Sequence, residues 1–259
     1  MKWDHTNLNV FLDISTYCNA GCPQCHRTNP DGLDKVDWLP LVQWSVDQFK
    51  KAFPPKELKN IRKFKFCGTW GDPIMNKDIL KIFEYIHDVT PSIIISIDTN
   101  GSLRDENFWW KIGVFLGKKL EVIFAVDGID QKMHEIYRRF TNLDKVLAHM
   151  NILSQTNAIV KSQTILFKHN KDYKEEIINL VKLNGSQKHS FVISDRFENK
   201  NKVKKYIDNN GKDFKLESSF VNDTLFISSI YNSLNQDSNN LKFFHTINKE
   251  NKSIIGFTE

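Results

Sequence analysis

The sequence predicts an α/β fold: a partial (β/α)6 barrel on a parallel sheet, plus a small C-terminal extension. Three observations carry this. Six short runs rich in β-formers alternate with helical patterns between residues 8 and 197. Most of these runs are apolar at nearly every position, as strands buried on both faces of a parallel sheet are. The residues that carry chemistry fall mostly just after the runs, where the loops of such folds gather.

The elements follow in chain order. Residues 8–14 read as a first strand that stops at Ser15-Thr16. Residues 38–52 place Leu39, Val42, Val46 and Phe49 at helical spacing, and Pro54-Pro55 ends that helix. Residues 63–67 form strand two, followed by a Gly-rich turn and a helix over 78–88. Residues 93–97 form strand three, with a helix over 105–116. Strand four is 120–126, followed by helical segments through Tyr137 and over 143–153. Strand five is 159–167, its helix 174–183, and strand six 190–194. After residue 197 the rhythm fails: 198–217 is charged, and 220–234 and 241–257 carry scattered aromatics. The chain therefore divides into a core domain, 1–197, and an extension, 198–259, packing on the barrel and capping it.

A chain of 259 residues, 40% hydrophobic and 12% aromatic, buries one substantial core. No uncharged apolar run reaches the length of a membrane-spanning helix, and Met1-Lys2-Trp3-Asp4-His5 lacks the apolar stretch of a signal peptide. A cytoplasmic protein that meets no membrane is expected. The net charge of +5 is a lysine surplus spread along the chain, a solvated surface more than a nucleic-acid stripe. Of four cysteines, Cys18, Cys22 and Cys25 lie within eight residues, whereas a disulfide framework spreads its cysteines through the chain. The cluster points to metal.

Cys18-Asn-Ala-Gly-Cys22-Pro-Gln-Cys25 sets three thiolates on one loop, with Gly21 and Pro23 for turning. Iron–sulfur clusters are held by cysteine thiolates in short runs, normally four for a 4Fe-4S unit. Three leave one iron open, and an open position separates a catalytic site from a structural one. The zinc alternative takes His26 or Cys67 as fourth ligand, although no second Cys-x2-Cys pair exists. Cys67, inside strand two, reads as a buried small hydrophobe.

Cys-x3-Cys-x2-Cys after a first strand resembles the signature of the radical S-adenosylmethionine (SAM) superfamily, and the resemblance runs over residues 8–197 in several ordered motifs. It implies a 4Fe-4S cluster whose open iron is chelated by SAM. It also implies reductive SAM cleavage to a 5′-deoxyadenosyl radical that takes a hydrogen atom from the substrate, and an external one-electron reductant such as flavodoxin or ferredoxin. Trp70-Gly71-Asp72-Pro73 resembles the family's Gly-Gly-Glu-Pro segment, which binds the SAM amino group; Trp70 replaces the first glycine and Asp72 the glutamate. Thr99-Asn100-Gly101 is similar to the family's Thr-Asn-Gly beside the methionyl or ribose part of SAM. Phe124-Ala-Val-Asp-Gly128 resembles Ser-Leu-Asp-Gly, with Ala125 in place of the serine, and brings in Asp127. The stretch from His134 to Arg138 is similar to one ending in arginine in many relatives, which implies a SAM contact for Arg138; a helix-surface arginine with an i,i+4 partner is the alternative. Lys161-Ser-Gln-Thr164 is similar to the Lys-x-Asn-Thr of molybdenum-cofactor-type members, where lysine approaches the SAM carboxylate. A lysine inside an otherwise apolar strand must in any case face something polar. Gln24 stands where the family commonly carries an aromatic near the adenine, and Ser194 follows strand six, where adenine or substrate would lie.

No cysteine follows Cys67, which argues against the auxiliary-cluster SPASM and twitch domains. The reading leans to a peptide or protein substrate. The alternative is a nucleotide, nucleoside or sugar, with lysines near 200–205 meeting phosphate. A non-catalytic zinc module binding RNA or protein would leave the β/α rhythm unexplained. Tyr17, His26, Asp127 and His169 are polar candidates for the substrate side by position.

Overall fold

The computed structural model describes residues 7–197, 202–219 and 257–258. Six strands, β1 (Leu8–Leu12), β2 (Ile61–Phe66), β3 (Ile94–Thr99), β4 (Leu120–Ala125), β5 (Ile159–Leu166) and β6 (Lys188–Ile193), pair in parallel, each with the next in the chain. The main crossover helices are α1 (Val46–Ala52), α3 (Ile79–Val89), α4 (Glu106–Leu116), α6 (Leu143–Ser154) and α7 (Lys174–Leu183); α2 (Pro55–Leu58) and α5 (Gln131–His134) are single turns. Sequential parallel pairing, with crossovers of the one hand such units favour, puts the helices on one face and curls the sheet. A short β9 (Phe257–Thr258) pairs antiparallel with β1, and β6 does not meet β1, so the barrel is not closed.

The core lies between sheet and helices. Strand alternation turns Val10, Phe64, Phe66, Ile95, Ile97, Val122, Phe124 and Val160 toward the helices, where all are buried. Helix α3 answers with Ile79, Ile82, Phe83 and Ile86, at i, i+3, i+4 and i+7. Each such side chain contributes about 1.5–3 kcal/mol through burial.

The opposite face departs from the expectation of strands apolar on both sides. It carries Lys63, Lys65, Asp98, Glu121, Lys161 and Gln163. Lys63 and Lys161 both reach Glu121 Oε2, at 2.7 and 3.1 Å, and Lys65 reaches Asp98 at 3.1 Å. In an open barrel this inner face is not a dry core, so ionic side chains are tolerated there.

Two further differences concern element bounds. The helix expected over 38–52 forms only as α1. Ser45 and Gln48 make a reciprocal capping box at its start, and before it Thr16 N donates to Val42 O and Trp44 N to Ile14 O. The segment holding Leu39 and Val42 therefore runs alongside the exit of β1. Past residue 197, β7 (Val203–Ile207) and β8 (Asp213–Glu217) form a hairpin within the charged stretch. Tyr206 and Leu216 are buried in it, while Lys205 and Lys215 are exposed on its other face. The hairpin packs on the cysteine loop: Ile207 N donates to Pro30 O and Gly32 N to Ile207 O, and Arg139 pairs with Asp208 at 3.3 Å. Ala20, Cys22, Leu33, Tyr137, Phe167, Tyr206 and Leu216 make a second, smaller core there. The readings for the chain start and for 220–256 lie outside the described residues. Among the described residues no helix is long and apolar enough to cross a membrane.

Candidate cluster and cofactor site

The cysteine loop leaves the C-terminal end of β1 and winds through consecutive turns, Cys25 N donating to Cys22 O and Thr28 N to Cys25 O. Gly21 serves close approach more than turning: a Cβ there would stand 2.6 Å from the Phe140 ring. All three thiols are unpaired, with Cys22 buried and Cys18 and Cys25 half-buried. Donors aim at the sulfurs. Ala20 N lies 3.4 Å from Cys18 Sγ, Asn100 Nδ2 3.9 Å from the same sulfur, and Arg138 Nη1 3.8 Å from Cys22 Sγ. Burial pushes the Cys18 thiol up to about 12, helped by Asp72 and Cys22 nearby. Cys22 is pushed up to about 11 by burial, with Arg138 opposing. Thiols in so dry a place ionise when a metal takes the place of their protons.

The Trp-Gly-Asp-Pro and Thr-Asn-Gly segments join the loop in one hydrogen-bonded unit. Asp72 N donates to Tyr17 O at 2.7 Å, and a Cβ on Gly71 would lie 2.2 Å from Ser15 O, so only glycine lets these backbones meet. The buried Asp72 carboxylate accepts from Thr99 Oγ1, Asn100 N, Asn100 Nδ2 and Ile74 N, all within 3.0 Å. Its burial raises its pKa, and these donors pull it back. Asn100 Nδ2 also reaches Asn19 Oδ1 at 2.8 Å. Asp72 thus organises the unit, with its carboxylate already spoken for.

The other residues fall into three places. Gln24 and Ser194, expected near the adenine, meet each other: Ser194 Oγ donates to Gln24 Oε1 at 2.7 Å, and Arg196 Nη1 to Gln24 O at 3.2 Å. A cavity beside them is lined by Pro23, Cys25, His26 and Lys204. The buried Asp127 and the half-buried Arg138 form an ion pair beside Cys22. Lys161 lies lower on the inner face, its ammonium held by Glu121. Trp70 is half-buried, edge-on to the exposed Trp38 at 5.5 Å and to His26 at 6.3 Å. Tyr17 joins the unit only through its backbone, and His169 stacks on Phe167. Sequence reasoning missed Asn19, Arg196 and the β7–β8 hairpin, because no motif marks them and their roles depend on partners far along the chain.

The donor set fits a 4Fe-4S cluster. Three thiols supply three corners and N–H groups face the sulfurs, as hydrogen bonds around such clusters do. A single zinc ion is poorly served: His26 turns to Trp70, Cys67 Sγ rests on Lys65 O, and among the described residues no three His, Cys, Asp or Glu side chains converge as a site for one ion.

No family model matches the chain. The chain is 26% identical over 172 residues to the GTP 3′,8-cyclase of Haemophilus influenzae (strain PittEE), covering 64% of this chain and 47% of that one. It is 28% identical over 103 residues to the FeMo cofactor biosynthesis protein NifB of Methanocaldococcus jannaschii, covering 38% and 34%. The chain thus spans half or less of the length of these two relatives. The fold matches Streptococcus suis SuiB bound to S-adenosylmethionine with a TM-score of 0.58 at 13% identity, over 72% of this chain and 40% of that one; SuiB has also been solved with its precursor peptide SuiA. These relatives and neighbours are radical SAM proteins, whose cofactors are a 4Fe-4S cluster and SAM. In its three-cysteine loop, in the strand-end motifs bonded to it and in these likenesses, the chain is similar to radical SAM proteins.

Proposed function

We propose that this chain is a radical SAM enzyme that removes a hydrogen atom from a polar, charged substrate of the nucleotide class. When bound, the cluster and SAM supply one-electron cleavage of a carbon–sulfur bond and a radical able to take that hydrogen. The chain's own residues hold and shield them. Cys18, Cys22 and Cys25 would ligate three irons. Asp72, Thr99 and Asn100 shape the loops around the SAM amino group, and Gln24 with Ser194 closes the adenine side. Lys161 remains a proposed contact to the SAM carboxylate, reached by exchange with Glu121.

The observation that carries the reading is the set of three unpaired thiols on the loop after β1, with N–H donors on the sulfurs of Cys18 and Cys22. For the substrate, the inner face matters: Lys63, Lys65 and Lys161 stand with the carboxylates of Glu121 and Asp98, a lining for a charged molecule. The cyclase likeness favours a nucleotide over the peptide to which the general resemblance leaned; SuiB's precursor peptide keeps a peptide as the competing reading. Anaerobic reconstitution, metal analysis and a dithionite-plus-SAM assay test the reading. About four irons per chain and 5′-deoxyadenosine are expected, with faster formation when GTP is added. Zinc without iron and no SAM cleavage would overturn the enzyme assignment, and stimulation by peptides alone would overturn the substrate class.

A further inference from the structure

Arg138 is held unusually firmly for an arginine beside a cofactor site. Its Nε donates to Asp127 Oδ2, and its guanidinium lies 5.1 Å over the Tyr137 ring. Asp127 is itself buried and fixed, accepting from Ile165 N at 2.5 Å, while Asn170 Nδ2 donates to its backbone carbonyl at 3.0 Å. One arm of the guanidinium is thereby left to point at Cys22 Sγ, 3.8 Å away. An alternative i,i+4 surface partner is ruled out by this burial and pairing. The neighbouring His134 adds no second cation: it is buried, with Nδ1 accepting from Asp127 N and Nε2 engaged with Thr141.

We propose that Arg138 is a positioning residue for the cluster, presenting a fixed positive charge and an N–H to the Cys22 sulfur and so favouring the reduced cluster. This rests on the reading that Cys22 ligates iron. One electron enters from the external reductant and no bond is made or broken, so the reduced form carries one more negative charge. A cation held against a ligand sulfur in a water-poor site stabilises that form. Asp127, bonded to Nε, anchors the guanidinium while attenuating its charge.

The test is a redox titration of the reconstituted protein, followed by the electron paramagnetic resonance signal of the reduced cluster, without SAM. Arg138→Gln, which keeps an N–H and loses the charge, is expected to lower the ratio of reduced to oxidised cluster at fixed potential at least tenfold, about 59 mV for a one-electron couple. Arg138→Lys, which keeps the charge, is expected to stay within about threefold of the wild type. It also serves if the glutamine variant fails to hold a cluster. Asp127→Asn should move the ratio the other way. A wild-type potential in Arg138→Gln, or an equal fall in Arg138→Lys, overturns the proposal. A SAM-ligand role alone would change SAM affinity and leave these SAM-free potentials unmoved, which also overturns it. A wild-type protein that assembles no cluster fails the enzyme reading itself.

Discussion

Asp72 shows how a motif residue can act through its neighbours. By resemblance it belongs to the SAM amino group; in the fold its carboxylate accepts four donors from Thr99, Asn100 and Ile74. Removing it orphans buried donors even before any cofactor binds. Asp72→Ala is therefore expected to destabilise the cofactor-free protein by about 3 kcal/mol in urea unfolding. A loss below about 1 kcal/mol would mean the network is not stabilising. The acidic residue after Gly71 was readable in the sequence, but its partners were not, because Thr99 and Asn100 lie 27 and 28 residues away.

At the scale of elements, the β7–β8 hairpin determines how well the cysteine loop is buried. Leu216 is fully buried against the small core that includes Ala20, Cys22 and Leu33. Leu216→Ala should cost about 2–4 kcal/mol through the cavity it leaves. It should also speed alkylation of Cys22 in cofactor-free protein, read by mass spectrometry. Unchanged alkylation would separate the hairpin from the loop. The helices and parallel strands were legible from their periodicity, with α7 matching the expected bounds. The hairpin was not, since its alternating lysines look like a solvated charge run until Tyr206 and Leu216 find their partners.

For the whole molecule, acid stability depends on buried histidines. Burial holds His134 down to about 3 and His169 and His189 each to about 4, against an ordinary 6.5. Below pH 6.5 the unfolded chain takes protons that the folded chain refuses, so these groups lower stability as pH falls toward 4. Asp13, Asp72 and Asp98, whose pKa values burial raises, pull the other way by taking protons in the folded state. Comparison with His134→Gln cancels the carboxyls. Wild type should lose roughly 1.4 kcal/mol per pH unit relative to that variant between pH 6.5 and 4, measured by urea midpoints. Parallel profiles would place the proton elsewhere. What the sequence by itself determined is the order of strands and helices and the three-cysteine loop at the end of β1, because periodicity and covalent spacing are local. The tertiary structure alone decided that the sheet's inner face is ionic, that Asp72 is consumed by Thr99 and Asn100, and that Arg138 meets Cys22 across 116 residues. Those depend on which distant groups the fold brings within hydrogen-bond reach, and no local pattern encodes that.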